Sequence, residues 1–563
     1  MIESVAAAAL AAGLGLPKAA GNAMTIERDL SVRARDGVIL RTDHYAPSQD
    51  GPAVLIRTPY GRGAAMPMLG RLLAARGVHV VIQSCRGTFG SGGRFEPLVH
   101  ERDDGLDTLA WLRRQRWYAG RLGLFGVSYQ GAAHYAIAAD AAPDLAAVVA
   151  SVTTSAMRDL TYAGEAFSLD TVLTWTQLLE SRTVPWLSRQ LELRRSQPRL
   201  AAGFAHLPLA EADRVVTGGT VPFFQQWLAE HAAGAEYWRD RVFGERLAEV
   251  DAPVLMVAGW HDIFLPAQLD DFVVLREAGR RPSLTVGPWT HGSAGLFAAT
   301  LRAGVPFLLR HLTAPDARHL TAPDARHLTV PDARSSGTVD ITLTGRPERR
   351  DDWPPRYRPA AWHLRADREL SEEPAGAGPP DTFTYDPADP TPSIGGPVLV
   401  AHRSGPVDNA RLEARPDVLT WTSAPLAHDL TAIGPVRAEI WERSSLPYHD
   451  VFVRVCDVDR AGVSRNVCDG LVRVTPGRFD ADAEGVQRVI VPLWPIGHVF
   501  RAGHRLRVQV SGGAHPRWSR NPGTGDPLGA AVTLRAAERE VFHDGVRRSA
   551  VFLPVETPPS TGS

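Results

Sequence analysis

Between residues 26 and 150, short runs of β-branched and other apolar residues alternate with segments of helical character. Val38–Tyr45 and Ala53–Arg57 read as strands, Met68–Arg76 as a helix, and Val78–Gln83 as a strand apolar enough to be buried on both faces. Leu106–Arg114 reads as a helix, Leu122–Phe125 as a strand, and Tyr129–Ala139 as an alanine-rich helix; two more strands follow at Val254–Ala258 and Ser283–Val286. Strands that alternate with helices need crossover connections, which predicts an α/β class: a mainly parallel sheet with helices on both faces. Residues 153–245 lack strand alternation and are rich in Leu, Trp and Arg. They are expected to form a helical cap inserted between two halves of the sheet, over the C-terminal edge of its strands. From about 351 the texture becomes short alternating strands (Arg437–Glu442, Asp450–Asp457, Gly470–Val474, Gln487–Pro492, Arg505–Ser511) separated by Gly, Pro and Asp turns. That is the signature of a β-sandwich or jelly roll. The expected units are thus 1–25 as a leader, 26–152 and 246–350 as two halves of the core, 153–245 as the cap, and 351–563 as the jelly roll.

Two segments stand outside this scheme. Residues 5–16 (VAAAALAAGLGL) are apolar, as in a signal peptide, but the run is short, Glu3 precedes it without any Lys or Arg, and Ala and Gly outweigh Leu. A leader without regular structure, before a second methionine at Met24, is the better expectation. No other stretch reaches 18 apolar residues, so no membrane span is expected. Residues 311–334 repeat an eight-residue unit three times (HLTAPDAR, HLTAPDAR, HLTVPDAR). A proline in each unit interrupts helix and ladder alike, and a lengthened surface connector is the simplest reading. His311, His319 and His327, eight residues apart in such a loop, are not expected to converge on a metal.

Charge narrows the function classes. The 61 Lys and Arg nearly cancel the 62 Asp and Glu, so no basic excess points to nucleic acid or an anionic membrane, and a small-molecule substrate is favoured. The three cysteines, Cys85, Cys456 and Cys468, have neither CxxC spacing nor even number; they suit reduced residues of a cytoplasmic protein.

The sharpest local signal is Leu122-Gly-Leu-Phe-Gly-Val-Ser-Tyr-Gln-Gly131. A serine on a tight strand-to-helix turn projects its hydroxyl from the sheet edge, and the next backbone N–H, at a helix N-terminus, faces a developing oxyanion. Gly126 and Gly131 remove side chains where strand and helix crowd the turn. The usual G-x-S-x-G is broken, because Gln130 stands where its second glycine would be. Two later segments strengthen the reading. Val254–Ala258 runs into Gly-Trp-His-Asp-Ile-Phe and places Asp262 past a strand end; Ser283–Val286 runs into Gly-Pro-Trp-Thr-His-Gly and places His291 in the same layer. The order Ser, Asp, His is that of α/β-hydrolases. Ser128 would be the nucleophile, His291 its general base, and Asp262 the residue fixing the imidazole tautomer. His261 is the structural neighbour rather than a rival base, since adjacent extended residues project oppositely. For the second oxyanion donor, Arg57-Thr-Pro-Tyr-Gly61 follows an early strand, and the Tyr60 hydroxyl is the candidate beside the Tyr129 amide.

At this point the chain resembles the cocaine esterase-like (CocE/NonD) acyl hydrolases, grouped with X-prolyl dipeptidyl peptidases and α-amino acid ester hydrolases. The matching segments are RTPYGR around Tyr60, VVIQSCRGTFGSGGRF at 80–95, LFGVSYQG at 124–131, AGWHDIF at 258–264, GPWTHG at 287–292, DDWPP at 351–355, YDPADPTPSIGG at 385–396 and HRLRVQVSGGAHPRWSRNPGTG at 504–525. The resemblance implies a three-domain enzyme: an α/β-hydrolase core, an inserted helical cap and a C-terminal jelly roll beside the active site. It implies the triad Ser128, Asp262 and His291, an oxyanion hole of Tyr60 and the Tyr129 amide, and an aromatic acyl pocket near Trp175 and Phe264. No cofactor or metal is needed. Three departures stand out, the first being the 313–334 repeat, which is foreign to the family's pattern. Ser84 occupies a position where the family commonly has Asp, and the cap around Thr161 shows neither the tryptophan nor the carboxylate found in relatives, with Asp159 and Glu165 only nearby.

Ile263 and Phe264 follow Asp262 where aminoester hydrolases supply acids, so an uncharged aromatic or branched acyl group is expected. A peptidase or amidase, an acyltransferase or lactone-forming enzyme, and a non-catalytic binding protein on the same scaffold are the other readings. The sequence leaves the leaving group and the oligomeric state open; a homodimer is compatible with it.

Overall fold

The computed structural model of the chain describes residues 2–21, 23–63, 65–180, 197–313, 337–343, 345–374 and 376–557. Ten strands form the core sheet: β1 (Met24–Arg33), β2 (Ile39–Pro47), β3 (Gly51–Thr58), β4 (His79–Ser84), β5 (Tyr118–Val127), β6 (Leu145–Ser151), β7 (Val254–His261), β8 (Ser283–Thr290), β9 (Val339–Thr342) and β10 (Pro347–Arg350). Their order is β1-β2-β4-β3-β5-β6-β7-β8-β9-β10. The run from β4 to β9 is parallel, with the antiparallel β1–β2 hairpin at one edge and antiparallel β10 at the other.

Alternation along these strands builds the two faces. Leu55, Val81 and Leu124 pack into one apolar cluster, while Val54, Ile56, Val80, Ile82 and Phe125 pack into another. Both faces are therefore covered by helices, and β4 is buried at every position. The crossovers are Met66–Ala74, Glu101–Leu112, Tyr129–Ala138 and Leu265–Glu277, with Ala294–Thr313 leading to β9. The expected strands and helices all occur, with ends shifted by a few residues; β1, β6, β9 and β10 are additional.

The leader differs from expectation. Ile2–Gly13 is a helix rather than an unstructured tail, with Ala7 and Ala11 buried. Leu10, Leu14 and Leu16 join the cluster that holds Leu69, Leu72 and Leu73 of the Met66–Ala74 helix. The Ala20 N–H then donates to the Ala75 carbonyl at 2.7 Å. Alanine has the best helix propensity and lets helices approach closely, so tertiary packing orders a segment that lacks a strong amphipathic pattern.

Between β6 and β7 the described residues form helices, including Met157–Thr161, Leu169–Glu180, Gln197–Ala205 and Pro222–Ala229. The Ala294–Thr313 helix runs through the first three residues of the repeat; His311 packs on Phe307 at 4.6 Å, and its carbonyl accepts from Arg121. The rest of the repeat, with His319 and His327, lies outside the described residues. No helix among the described residues is long and apolar enough to cross a membrane.

After β10 the chain enters a second, β-rich unit of eleven strands that begins with Tyr357–Leu364. Pairing is antiparallel except between Glu369–Ser371 and Val418–Ser423. Trp421, Ile440, Val453, Val455, Val489 and Val508 are part of its core. The long strand Gln487–Phe500 carries Trp494, which reaches back to the core sheet: its indole N–H donates to the Asp262 carbonyl at 3.2 Å.

Candidate active site

Ser128 follows β5 and opens the Tyr129–Ala138 helix with φ 59° and ψ −132°. A non-glycine residue there stores about 1–3 kcal/mol of strain. Its neighbours hold it in place. The Ser128 N–H donates to the Ser151 carbonyl of β6, and its carbonyl accepts from the Gly131 N–H, both at 2.9 Å. A Cβ on Gly126 would lie 2.4 Å from the Gly131 nitrogen, so the elbow closes only on glycine. One on Gly131 would meet Thr153 Cγ2 at 2.5 Å, at the exit of β6.

Gln130, which broke the sequence motif, ties two loops together. Its Oε1 accepts from the Val127 N–H at 3.3 Å, and its Nε2 donates to Thr58 Oγ1 at 3.1 Å. Thr58 Oγ1 also accepts from the Tyr60 N–H at 3.1 Å. The serine turn and the Tyr60 loop are thereby stitched by one side chain.

Asp262 lies just past β7, fully buried, and His291 just past β8. Asp262 Oδ2 and His291 Nδ1 are 2.9 Å apart, and Asp262 Oδ1 accepts from the Phe264 N–H at 2.8 Å. With the carboxylate on Nδ1, the imidazole carries its proton there and leaves Nε2 as the basic nitrogen.

Tyr60 follows β3, and Trp175 of the cap donates its indole N–H to the Tyr60 hydroxyl at 3.1 Å. The same phenol lines one pocket with Ser128, and burial pushes its pKa up, so it stays a protonated donor. The Tyr129 side chain turns the other way: its phenol donates to Glu101 Oε1 at 2.5 Å and accepts from the Leu98 N–H at 2.9 Å. Glu101 is itself buried. Neither it nor Gln130 was legible as a site residue, since both lie in ordinary helical sequence and act only through tertiary partners.

A pocket opens over Ser128, Tyr60 and Tyr129, walled by Met157, Leu160, Val172, Trp175, Trp227 and Phe264 among others. Among the described residues, no ionisable acid or base other than the two tyrosines lines it. Trp175 and Phe264 both line this pocket, and the Phe264 ring centroid is 5.6 Å from that of His291. A wider cavity adjoins, sharing Leu160, Thr171 and Ile263, but lined also by Arg158, Asp159, Glu165, Asp270 and Arg517. Asp159 and Glu165 therefore face the second cavity rather than the pocket at Ser128, which Thr161 lines instead.

His261, the alternative base, lines a different cleft with His498 and Asp457, and burial lowers its pKa to about 4. At position 84, where the resemblance led to an aspartate, the Ser84 hydroxyl accepts from Arg62 at 2.5 Å, and Asp43 Oδ1 takes the Arg62 Nε at 2.9 Å. Asp29 of β1 also pairs with Arg62, so two carboxylates from the edge hairpin hold this arginine.

The sheet order, the strand-end serine and the Asp–His pair define the class, a serine hydrolase on the α/β-hydrolase fold. The model of the X-Pro dipeptidyl-peptidase (S15 family) domain matches residues 36–293, and that of the X-Pro dipeptidyl-peptidase C-terminal non-catalytic domain matches residues 332–545. Cocaine esterase of Rhodococcus sp. (strain MB1 Bresler) is 30% identical over 544 residues, covering 89% of this chain and 93% of that protein. Among solved structures, an α-amino acid ester hydrolase superposes with a TM-score of 0.77 at 22% identity, covering 96% of this chain and 98% of that one. An aminopeptidase of a marine sediment Thaumarchaeota archaeon superposes with a TM-score of 0.77 at 21% identity and the same coverage of both chains, 96% and 98%. The chain belongs to the cocaine esterase (CocE/NonD) family of the S15 group, and it is an enzyme, a serine ester hydrolase.

Proposed function

We propose that the enzyme cleaves carboxylic esters with an uncharged aromatic or branched acyl group, through an acyl intermediate on Ser128. The observation that carries this reading is the pocket over Ser128, whose walls are apolar and aromatic and, among the described residues, hold no carboxylate to receive an ammonium group. In this reading His291 Nε2 takes the Ser128 proton as Oγ attacks the ester carbonyl, and Asp262 stabilises the imidazolium. The tetrahedral oxyanion accepts from the Tyr60 hydroxyl and the Tyr129 N–H. His291 then protonates the departing alcohol, and water repeats the sequence to release the acid.

The wider cavity beyond Leu160 and Ile263 is the path for the leaving group, and its ionised lining keeps that side wet. The X-prolyl peptidase reading draws on the family description of the catalytic domain. Against it stands the lack, among the described residues, of an acid where a peptide's free amine would sit beside Ser128. We place the enzyme in the cytoplasm, where the buried, unpaired Cys85, Cys456 and Cys468 would stay reduced.

The test is a panel of p-nitrophenyl butyrate and benzoate, an X-Pro p-nitroanilide and an α-amino ester. Ser128→Ala is expected to lower ester turnover by about 10⁴-fold or more, with loss of fluorophosphonate labelling. A wild type that prefers amino esters over their deaminated analogues would overturn the acyl assignment, and faster anilide than ester turnover would favour the peptidase.

A further inference from the structure

Trp175 was expected as a wall of the acyl pocket. Its indole nitrogen has a second relationship, with the Tyr60 hydroxyl 3.1 Å away. An indole N–H can only donate, so the Tyr60 oxygen must be the acceptor of that bond. A phenol has one proton of its own, and accepting from Trp175 directs it elsewhere, toward the pocket that Tyr60 and Ser128 line together. Without the indole, that proton could rotate away from the position where the oxyanion forms. Hydrogen bonds in such a chain polarise one another, so the donation from Trp175 also strengthens the O–H that Tyr60 presents.

The Trp175 ring is fixed from several sides. It stacks on Trp227 at 5.8 Å with 10° between planes, and packs on Phe223 at 5.5 Å; both partners belong to the cap helix Pro222–Ala229. On the core side it stacks on Tyr129 at 5.6 Å and 26°. One cap side chain thus touches both residues of the oxyanion hole, Tyr60 by a hydrogen bond and Tyr129 by its ring. The cap helix Leu169–Glu180 carries Trp175, whereas Tyr60 and Tyr129 sit at the ends of β3 and β5.

We propose that Trp175 is a positioning residue for the oxyanion hole: its indole N–H sets the direction of the Tyr60 hydroxyl proton, so that docking of the cap completes the transition-state site. The proposal rests on the reading of Tyr60 as an oxyanion donor. It separates the N–H from the bulk of the ring, and a double-mutant cycle reads that separation.

The variants are Trp175→Phe, which keeps an aromatic ring and removes the donor, Tyr60→Phe, and the two together. The substrate is p-nitrophenyl acetate, whose acyl group is too small to fill the pocket. Tyr60→Phe is expected to lower kcat by about 100-fold, the usual cost of an oxyanion donor. Trp175→Phe should lower kcat by about tenfold with KM within about twofold, and weaken binding of methylboronic acid by a similar factor, because the tetrahedral boronate uses the same donor. In the Tyr60→Phe background, adding Trp175→Phe should change kcat by less than about twofold, since the group it acts on is gone. Equal losses in both backgrounds, or a loss confined to KM, would show that Trp175 serves only as a wall and would overturn the proposal. Fluorophosphonate labelling of Ser128 and the melting temperature report whether each variant is folded. If Tyr60→Phe alone has no effect, the oxyanion assignment and this proposal both fall, whereas the hydrolase reading is decided separately by Ser128→Ala.

Discussion

Two cavities meet at a wall of Leu160, Thr171 and Ile263, and they differ in nearly every physical respect. The one over Ser128 is lined by aromatic and aliphatic side chains, with hydroxyls and Tyr60 as its polar points. Its neighbour holds two arginines and three carboxylates. Where charge develops in the reaction, a dry lining makes fixed donors count for more, because no water competes for the oxyanion. If the product alcohol leaves through the second cavity, as proposed, a charged lining costs nothing in the transition state and eases departure. On the function proposed above, the division would give selectivity for the acyl group to the first cavity and tolerance of varied alcohols to the second.

The boundary residue Ile263 offers the largest test of that division. Ile263→Asp puts a carboxylate into the dry pocket, where it loses hydration without gaining a partner. The kcat/KM for p-nitrophenyl butyrate is expected to fall by about 100-fold, equivalent to the few kcal/mol of such a burial. An unchanged or improved value would mean that the pocket is already hydrated.

A smaller effect is expected across the wall. Asp159→Asn with Asp270→Asn removes two charges from the wet cavity, and partly exposed charges are worth little each. The KM for a butyrylthiocholine ester, whose leaving group is cationic, should rise about threefold, while that for a neutral ester stays the same. Equal changes for both esters would break the assignment of the leaving group to this cavity.

The smallest effect is one of stability. Asp271, on the Leu265–Glu277 helix, is fully enclosed, and burial raises its pKa to about 7; Asp270 and Asp159 push it in the same direction, while the Ser155 N–H and hydroxyl bond to it and pull it down. Its unfolded value is about 3.9. Between these values the folded state binds the extra proton, so this contribution is present at low pH and is lost as pH rises through about 7. Asp271→Asn should make the fall in Tm between pH 5 and pH 8 smaller by about 2 °C, measured by thermal melts. An identical slope in the variant would remove Asp271 from the account.

The parts legible in the sequence were those where local pattern and tertiary role coincide. The strands at Val254 and Ser283 are apolar runs ended by glycine, and their ends carry Asp262 and His291. β6 carries no clear sequence signal because Leu145–Ser151 is alanine-rich and its strand character comes from pairing with β5 and β7 on either side. β9 and β10 have four residues each, too short for a periodic signal. The leader helix was missed for a related reason: its order comes from the Met66–Ala74 helix beneath it, not from its own pattern. In the site, residue types at strand ends pointed to the nucleophile, the base and its orienting acid. The indole bond from Trp175 to Tyr60, the Glu101 anchor and the Arg62–Asp43 pair all join segments distant in sequence, and no local spacing encodes them.

The amide of Gln130 has a consequence for protein engineering. Because it spans from Val127 to Thr58, the segments on either side of it are one inheritable module split across the chain. A chimaera with its crossover between residues 61 and 127 would take the two parts from different parents. A parent with an apolar residue at 130 would leave the Thr58 hydroxyl without its second donor and the Tyr60 loop held by one bond fewer. Recombination libraries built from this enzyme should therefore keep 58–60 and 127–131 from the same parent.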